Sequence, residues 1–219
     1  MTASDTVTLY HAPNSRSSAA LTLLEELRAP YRLHVLNLNA GEQRKPAYLA
    51  INPMGKVPAV KHGDALITEQ VAIFIYLADL FSDAGLAPKL GDPLRGPYLR
   101  WLAFYGACFE PAVGDRALKR DPAPARMSGY GDYDTVLATI VAQLRKAPFM
   151  LGDKFSAADV LWGTALTWTT MFKLVPELPE ITAYMNRWNS RPSVATVRAK
   201  DAELAAQHEA AASANAATA

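Results

Sequence analysis

The sequence predicts an α/β domain followed by an all-helical domain. Up to about residue 82, short runs with strand character alternate with helical periodicity. From about residue 92, every apolar pattern repeats at the helical period. Between the two, Asp83 to Gly91 carries Gly85, Pro88 and Gly91, the composition of a linker. The expected organisation is residues 1–82, a linker at 83–91, a helical domain at 92–200 and an Ala-rich tail at 201–219.

The elements follow in order. Val7-Thr8-Leu9-Tyr10 reads as a strand, and His11-Ala12-Pro13-Asn14 as a loop. A helix is expected from about Ser15, with Ala19, Ala20, Leu23, Leu24 and Leu27 on one face, ending at Ala29-Pro30. Tyr31, Leu33 and Val35 alternate with Arg32 and His34 as a second strand. After a linker, Val57-Pro58-Ala59-Val60 opens a short apolar run, with Pro58 at its start because a mid-sheet proline would remove a donor. Lys61-His62-Gly63-Asp64 reads as a hairpin turn into Ala65-Leu66-Ile67. A helix then runs from about Glu69 to Ser82, with Ile73, Leu77, Leu80 and Phe81 facing inward. This βαβ unit followed by ββα is the order of a thioredoxin-like domain.

In the second half, Asp92-Pro93 is an N-cap followed by a first-turn proline. Tyr98, Trp101, Leu102, Tyr105 and Phe109 fall at helical spacing, and Glu110-Pro111 is expected to bend or end that helix. The segment from Arg116 to Gly131 reads as a loop, and Leu137, Ile140, Val141 and Leu144 mark the next helix. Ser156 and Asp159 have the spacing of a capping box, with Phe155 and Val160 as its staple. The helix that follows, with Leu161, Trp162, Leu166, Trp168 and Met171, is apolar on nearly every side and therefore expected to be buried. Ile181, Tyr184, Met185 and Trp188 mark another, stopped by Arg191-Pro192. Beyond Ala199 the composition allows a helix, but little apolar bulk remains to dock it and its end is expected to fray.

Composition narrows the function classes. Of 219 residues half are hydrophobic and a fifth charged, with a formal net charge of +1, which gives no polyanion-binding surface. The single cysteine, Cys108, permits no internal disulfide and favours a reducing compartment. No signal peptide or membrane span is expected, so the protein reads as cytoplasmic. Four histidines without ligand spacing predict no metal site.

The stretch from Asn52 to Gln70 organises the rest. Val57-Pro58 is a candidate cis peptide, since only X-Pro bonds adopt cis cheaply. A cis bond would turn the Val57 N–H and C=O outward, free to pair with an extended peptide. Thr68-Glu69-Gln70 opens a helix, whose free N–H groups favour an anion. NPMGKVPAV followed by ITEQVAIFIYLAD resembles the glutathione-binding half of the cytosolic glutathione S-transferase family. That resemblance implies that Val57, before the cis Pro58, pairs with the cysteinyl backbone of glutathione, and that Glu69 and Gln70 hold its γ-glutamyl end. Gly41-Glu42-Gln43-Arg44-Lys45-Pro46 is similar to a loop of the phi class, which implies Gln43, Arg44 and Lys56 as partners of the glycyl carboxylate. A guanidinium and an ammonium suit that group.

Glutathione brings the thiol, so the protein need only stabilise a thiolate. Lowering a thiol pKa by roughly two units from its usual 8.5 takes about 2.7 kcal/mol. One hydrogen bond to a charged acceptor supplies roughly 1.5–3 kcal/mol. By its distance from Tyr10, Ser15 falls where phi-class enzymes place a catalytic serine, and it is the favoured donor; Ser17, Asn14 and Tyr10 are its rivals. The family resemblance further implies a homodimer whose second domain supplies the pocket for a small apolar electrophile; Cys108, on an apolar helix face with Tyr105 and Phe109, is a candidate to line it, with core packing the alternative and the stronger one for Trp162. The implied reaction is conjugation of the glutathione thiolate. A glutathione-dependent isomerase or dehalogenase, or a non-catalytic interaction module on the same scaffold, are the alternatives.

Overall fold

The computed structural model describes residues 6–121, 123–124 and 126–217. They divide into two compact units: the residues up to Ile73 together with those from Pro192 onward, and Phe74–Arg191.

The first unit is built on a four-stranded sheet of order β2-β1-β3-β4. β1 (Val7–His11) pairs in parallel with β2 (Tyr31–Val35) across the helix α1 (Ser17–Leu27). β3 (Ala59–His62) runs antiparallel to β1, and β4 (Ala65–Ile67) antiparallel to β3, as the hairpin reading requires. A short helix α2 (Pro46–Leu49) precedes β3, and α3 (Gln70–Leu80) follows β4. Together with the helical second unit, this is the thioredoxin-like plus all-α architecture that the sequence predicts. Val57–Pro58 is cis. β1 alternates buried and half-buried side chains, so Val7, Leu9 and His11 share its inner face. The strand therefore includes His11, one residue beyond the expected end. In α3 the buried residues are Ile73, Phe74, Leu77 and Ala78, while Leu80, expected inside, is exposed.

α9 (Pro192–Ala217) completes this unit. The boundary expected at residue 200 does not break it: one helix runs through the supposed tail. Val194, Val197 and Asp201 are buried on successive turns, and α9 packs against α1. Ser193 donates to Glu26 at 2.5 Å, and Lys200 bonds Tyr31 at 2.7 Å and Glu25 at 3.3 Å. The polar and ionic contacts dock this helix where apolar bulk is thin.

The second unit holds α4 (Arg95–Phe104), α5 (Glu110–Ala117), α6 (Tyr133–Lys146), α7 (Ala157–Met171) and α8 (Pro179–Asn189). α4 and α5 are joined by a π-helical segment, Tyr105–Phe109, so the helix passes Glu110-Pro111 instead of ending there. The wider turn, with Glu110 N–H bonded to the Tyr105 carbonyl, absorbs the ring that would clash with an ordinary α turn. Asp159 Oδ2 accepts from the Ser156 N–H and Oγ, each at 2.9 Å, closing the predicted capping box. Trp162 is fully buried, and its Nε1 donates to the Trp101 carbonyl at 3.1 Å. Met171, at the end of α7, is exposed rather than buried. The expected linker belongs to this unit: Leu86 is buried and its carbonyl accepts from Ala157 N–H at 2.8 Å. Among the described residues no helix is long and apolar enough to cross a membrane.

Candidate functional site

Alternation along β1 sends Tyr10 and His11 to opposite faces of the sheet. Tyr10 lies against His34 and Tyr48, with ring centroids 5.0 and 5.8 Å away. His11 instead reaches α1, where its Nδ1 is 2.9 Å from Ser17 Oγ. Of the four hydroxyl and amide rivals, Tyr10 is thereby directed away from the serines.

The loop from Ala12 to Arg16 places Ser15 just before α1. Ser15 is half-buried. Its Oγ donates to the Ala12 carbonyl at 2.8 Å, accepts the Ser17 N–H at 3.2 Å and lies 2.7 Å from Ser17 Oγ. Ser17 Oγ also accepts the Ala12 N–H at 3.0 Å. Asn14 turns the chain at φ 53° and its N–H donates to Asp201 at 3.1 Å. Asp201 is bound on both oxygens: Oδ1 to His11 Nε2 at 2.9 Å, and Oδ2 by Ser18 Oγ at 2.5 Å as well as by Asn14. Burial alone would raise the Asp201 carboxyl. The hydrogen bonds from His11, Ser18 and the Asn14 N–H outweigh it and hold the carboxyl below its ordinary range.

Val57–Pro58 runs alongside the end of β1, because Ala59 is registered opposite Tyr10. Among the described residues, no hydrogen bond engages the Val57 N–H or C=O. The loop before it is shaped by Asn52, a buried side chain that donates to the Lys56 carbonyl at 2.9 Å and accepts the Met54 N–H at 3.1 Å. Tyr48 Oη donates to that same carbonyl at 2.6 Å. Gly55, at φ +60°, lies so close to the Gln43 carbonyl that a Cβ would stand 2.8 Å from it. That close approach brings the 42–44 segment against the Val57 loop. Arg44 Nη1 reaches the Met54 carbonyl at 3.4 Å and is exposed, as is Lys56. Gln43 Oε1 is buried with no hydrogen-bond partner among the described residues.

At the start of α3, Glu69 is exposed and holds φ +64°, and its carbonyl accepts the Ile73 N–H at 3.0 Å. Gln70 Nε2 donates to the Arg16 carbonyl at 3.2 Å, which sets the start of α3 beside the start of α1. The first unit thus gathers the Ser15 loop, the Val57 loop with Gln43 and Arg44, and the Glu69–Gln70 helix start.

The N-terminal domain family of glutathione S-transferases matches residues 5–79, and the C-terminal domain family matches residues 102–192. Glutathione S-transferase F10 of Arabidopsis thaliana is 31% identical over 167 residues, spanning 70% of this chain and 76% of that one. The chain belongs to the glutathione S-transferase family.

Membership of the glutathione S-transferase family makes it an enzyme. Glutathione S-transferase GstA of Escherichia coli O157:H7 is 28% identical over 189 residues, 85% of this chain and 94% of that one. The disulfide-bond oxidoreductase YfcG of Escherichia coli is 27% identical over 201 residues, 85% and 92% of the two chains. Among solved structures, a glutathione transferase of Methylococcus capsulatus superimposes with a TM-score of 0.76 at 29% identity, covering 90% and 98% of the chains. A Sulfitobacter glutathione transferase homologue with bound glutathione gives 0.68 at 27%, with the same coverage.

The three residues expected at the electrophile pocket stand differently in the second unit of this glutathione S-transferase family member. Tyr105 and Phe109 are buried, packed on Trp162 at ring distances of 5.7 and 5.0 Å, and Tyr105 Oη donates to Glu110. Cys108 is half-buried. The residues that the sequence reading missed are His11, Ser18 and Asp201. A histidine in register with Val7 and Leu9 on an inward strand face was the available signal.

Proposed function

We propose that the protein uses the Ser15 hydroxyl to stabilise the thiolate of glutathione and conjugates that thiolate to a small apolar electrophile. The observation that carries this reading is the half-buried Ser15 Oγ at the opening of α1, in the same unit as a cis Val57–Pro58 with an unengaged Val57 backbone. In this assignment Val57 pairs with the cysteinyl backbone. Glu69 and Gln70 hold the γ-glutamyl end, and Gln43, Arg44 and Lys56 meet the glycyl carboxylate. Cys108 is the member of the expected electrophile set with surface to offer, and Tyr105 and Phe109 support it from the core. The reading includes a cytoplasmic homodimer, which sedimentation tests.

A titration of thiolate absorbance in the glutathione complex tests the assignment. Ser15→Ala is expected to raise the bound thiol pKa by roughly one to two units, with glutathione affinity changing less. A bound thiol that titrates as in the wild type would overturn it. Glutathione-dependent disulfide reduction is the second reading, favoured by the similarity to YfcG. The same thiolate would then attack a disulfide sulfur. Formation of oxidised glutathione with a disulfide substrate, against thioether formation with an activated aryl halide, separates the two.

A further inference from the structure

We propose that Ser17, His11 and Asp201 form a proton relay behind Ser15, so that the thiol proton of glutathione leaves inward through the protein. The proposal rests on Ser15 as the thiolate contact. Ser15 stands half-buried at the outer end, and the next members are all buried, with exposures of 0% for Ser17, 0% for His11 and 5% for Asp201. The links are 2.7, 2.9 and 2.9 Å, unbroken from the loop to the carboxylate.

The directions at His11 follow from what each group can do. An ionised carboxylate only accepts, so Asp201 Oδ1 requires the proton of His11 on Nε2. Nδ1 is then left with its lone pair, and Ser17 Oγ donates to it. Ser17 Oγ accepts in turn from the Ala12 N–H, and the single Ser15 proton has two acceptors in reach, the Ala12 carbonyl at 2.8 Å and Ser17 Oγ at 2.7 Å, of which the relay uses the second. Asp201 Oδ2 is taken by Ser18 and Asn14, which leaves Oδ1 to the imidazole. Asp201 is the charged group bonded to His11; across β2 its registered neighbour is Val35.

The transfer balances. The S–H bond breaks as an O–H bond forms on Ser15. The former Ser15 proton passes to Ser17 Oγ, and the former Ser17 proton passes to His11 Nδ1. A neutral thiol and a neutral imidazole become a thiolate and an imidazolium, and the total charge is unchanged. The imidazolium lies against the Asp201 carboxylate. The proton newly received by Ser15 points back at the sulfur, so the transfer itself creates the thiolate's hydrogen-bond donor. After conjugation the same chain, run in reverse, returns the proton to the departing anion or to water. Here Ser17, His11 and Asp201 act through Ser15 and are positioning residues.

The thiolate titration, run on wild type, Ser15→Ala, Ser17→Ala and His11→Gln in the glutathione complex, tests the relay, alongside nitrogen NMR of the His11 ring. Ser17→Ala leaves the His11–Asp201 bond in place. It is expected to raise the bound thiol pKa by about one unit, a tenfold loss of thiolate below that pKa. The kcat/KM falls by about tenfold below neutrality and recovers at high pH, while KM for glutathione holds. In the wild type, which needs no variant to fold, His11 is expected to be an imidazolium with glutathione and neutral with S-methylglutathione, which has no proton to give. A shift in Ser15→Ala alone, with His11 in one protonation state in both complexes, overturns the relay and leaves the Ser15 assignment standing. A shift in neither serine variant overturns the Ser15 assignment and the relay with it. A shift in Ser17→Ala alone moves the contact to Ser17 and overturns both.

Discussion

Glu69 holds a backbone conformation at φ +64° that an L side chain enters at a cost of about 1–2 kcal/mol. Strain of that kind persists where surrounding structure enforces it, and it concentrates at ligand sites. Two substitutions separate the backbone from the carboxylate. Glu69→Ala keeps the strain and removes the charge, so glutathione binding is expected to weaken by about 1.5–3 kcal/mol. Glu69→Gly loses the same contact but relieves the strain, and is expected to be more stable than Glu69→Ala by about 0.5–1 kcal/mol. Calorimetric binding and urea denaturation read the two effects; wild-type affinity in both variants would remove Glu69 from the site. Much of this region was legible in the sequence because its signals are local. A proline at a strand start and an acidic residue at a helix start sit within a few residues of what they organise. The left-handed turn at Glu69 was not legible, since nothing in Thr68-Glu69-Gln70 favours it. His11 was half-legible: its register with Val7 and Leu9 puts it inside, but its partners come from α1 and α9.

Within the second unit, α7 depends on two close fits. Gly163 lies against Trp188 of α8, where an added Cβ would stand 2.3 Å from the ring. Helix propensity alone would make Gly163→Ala stabilising by about 1 kcal/mol. Overpacking reverses the sign, and a loss of about 1–3 kcal/mol is expected in denaturant titration. Trp188→Leu in the same chain should recover part of it, since the clash is with that ring. At the start of α7, Asp159 is 2% exposed and accepts from Met150 N–H at 2.8 Å and Tyr184 Oη at 2.9 Å as well as from Ser156. Burial pushes its carboxyl up to about 6, against the opposing pull of those hydrogen bonds. A raised acid binds its proton more tightly when folded, so the contribution of this group to stability falls as pH rises from about 4 to about 6, by on the order of 3 kcal/mol. Urea denaturation across that window should show the fall in wild type and its absence in Asp159→Asn. A parallel pH dependence in the two proteins would exclude the assignment. The capping box was legible because it is a four-residue pattern. The passage through Pro111 was not, because a proline signals a break unless the helix widens ahead of it, and widening leaves no mark in composition.

Across the whole molecule, the least legible feature is the return of α9 to the first unit. His11 and Asp201 are 190 residues apart, and no local pattern announces their meeting. Val194, Val197 and Asp201 do share one face of α9, so a carboxylate on an inward stripe was the clue. The helix has two parts with different roles. Up to Lys200 and Asp201 it makes buried or partly buried bonds to His11, Ser18, Tyr31 and Glu25. From Glu209 to Ala214 its side chains are exposed, and Ser213 Oγ donates within the helix to the Glu209 carbonyl at 3.0 Å. Ending the chain after His208 is therefore expected to change stability by no more than about 0.5 kcal/mol. Ending it after Ala199 removes Lys200 and Asp201 and leaves His11 and Ser18 without their acceptor. The loss of a buried ionic partner costs about 3–5 kcal/mol. The sign with pH distinguishes this from a general loss of packing. Asp201 is held below the ordinary carboxylate range, so its contribution is present above an unfolded pKa of about 4 and is lost as pH falls through its lower folded value. The stability gap between the full chain and the one ending at Ala199 should accordingly be constant near neutrality and narrow on acidification below about pH 4. Denaturant titrations of the three chains at several pH values measure it. A large loss from the His208 truncation, or a gap that widens in acid, would show that α9 is docked by something other than Asp201.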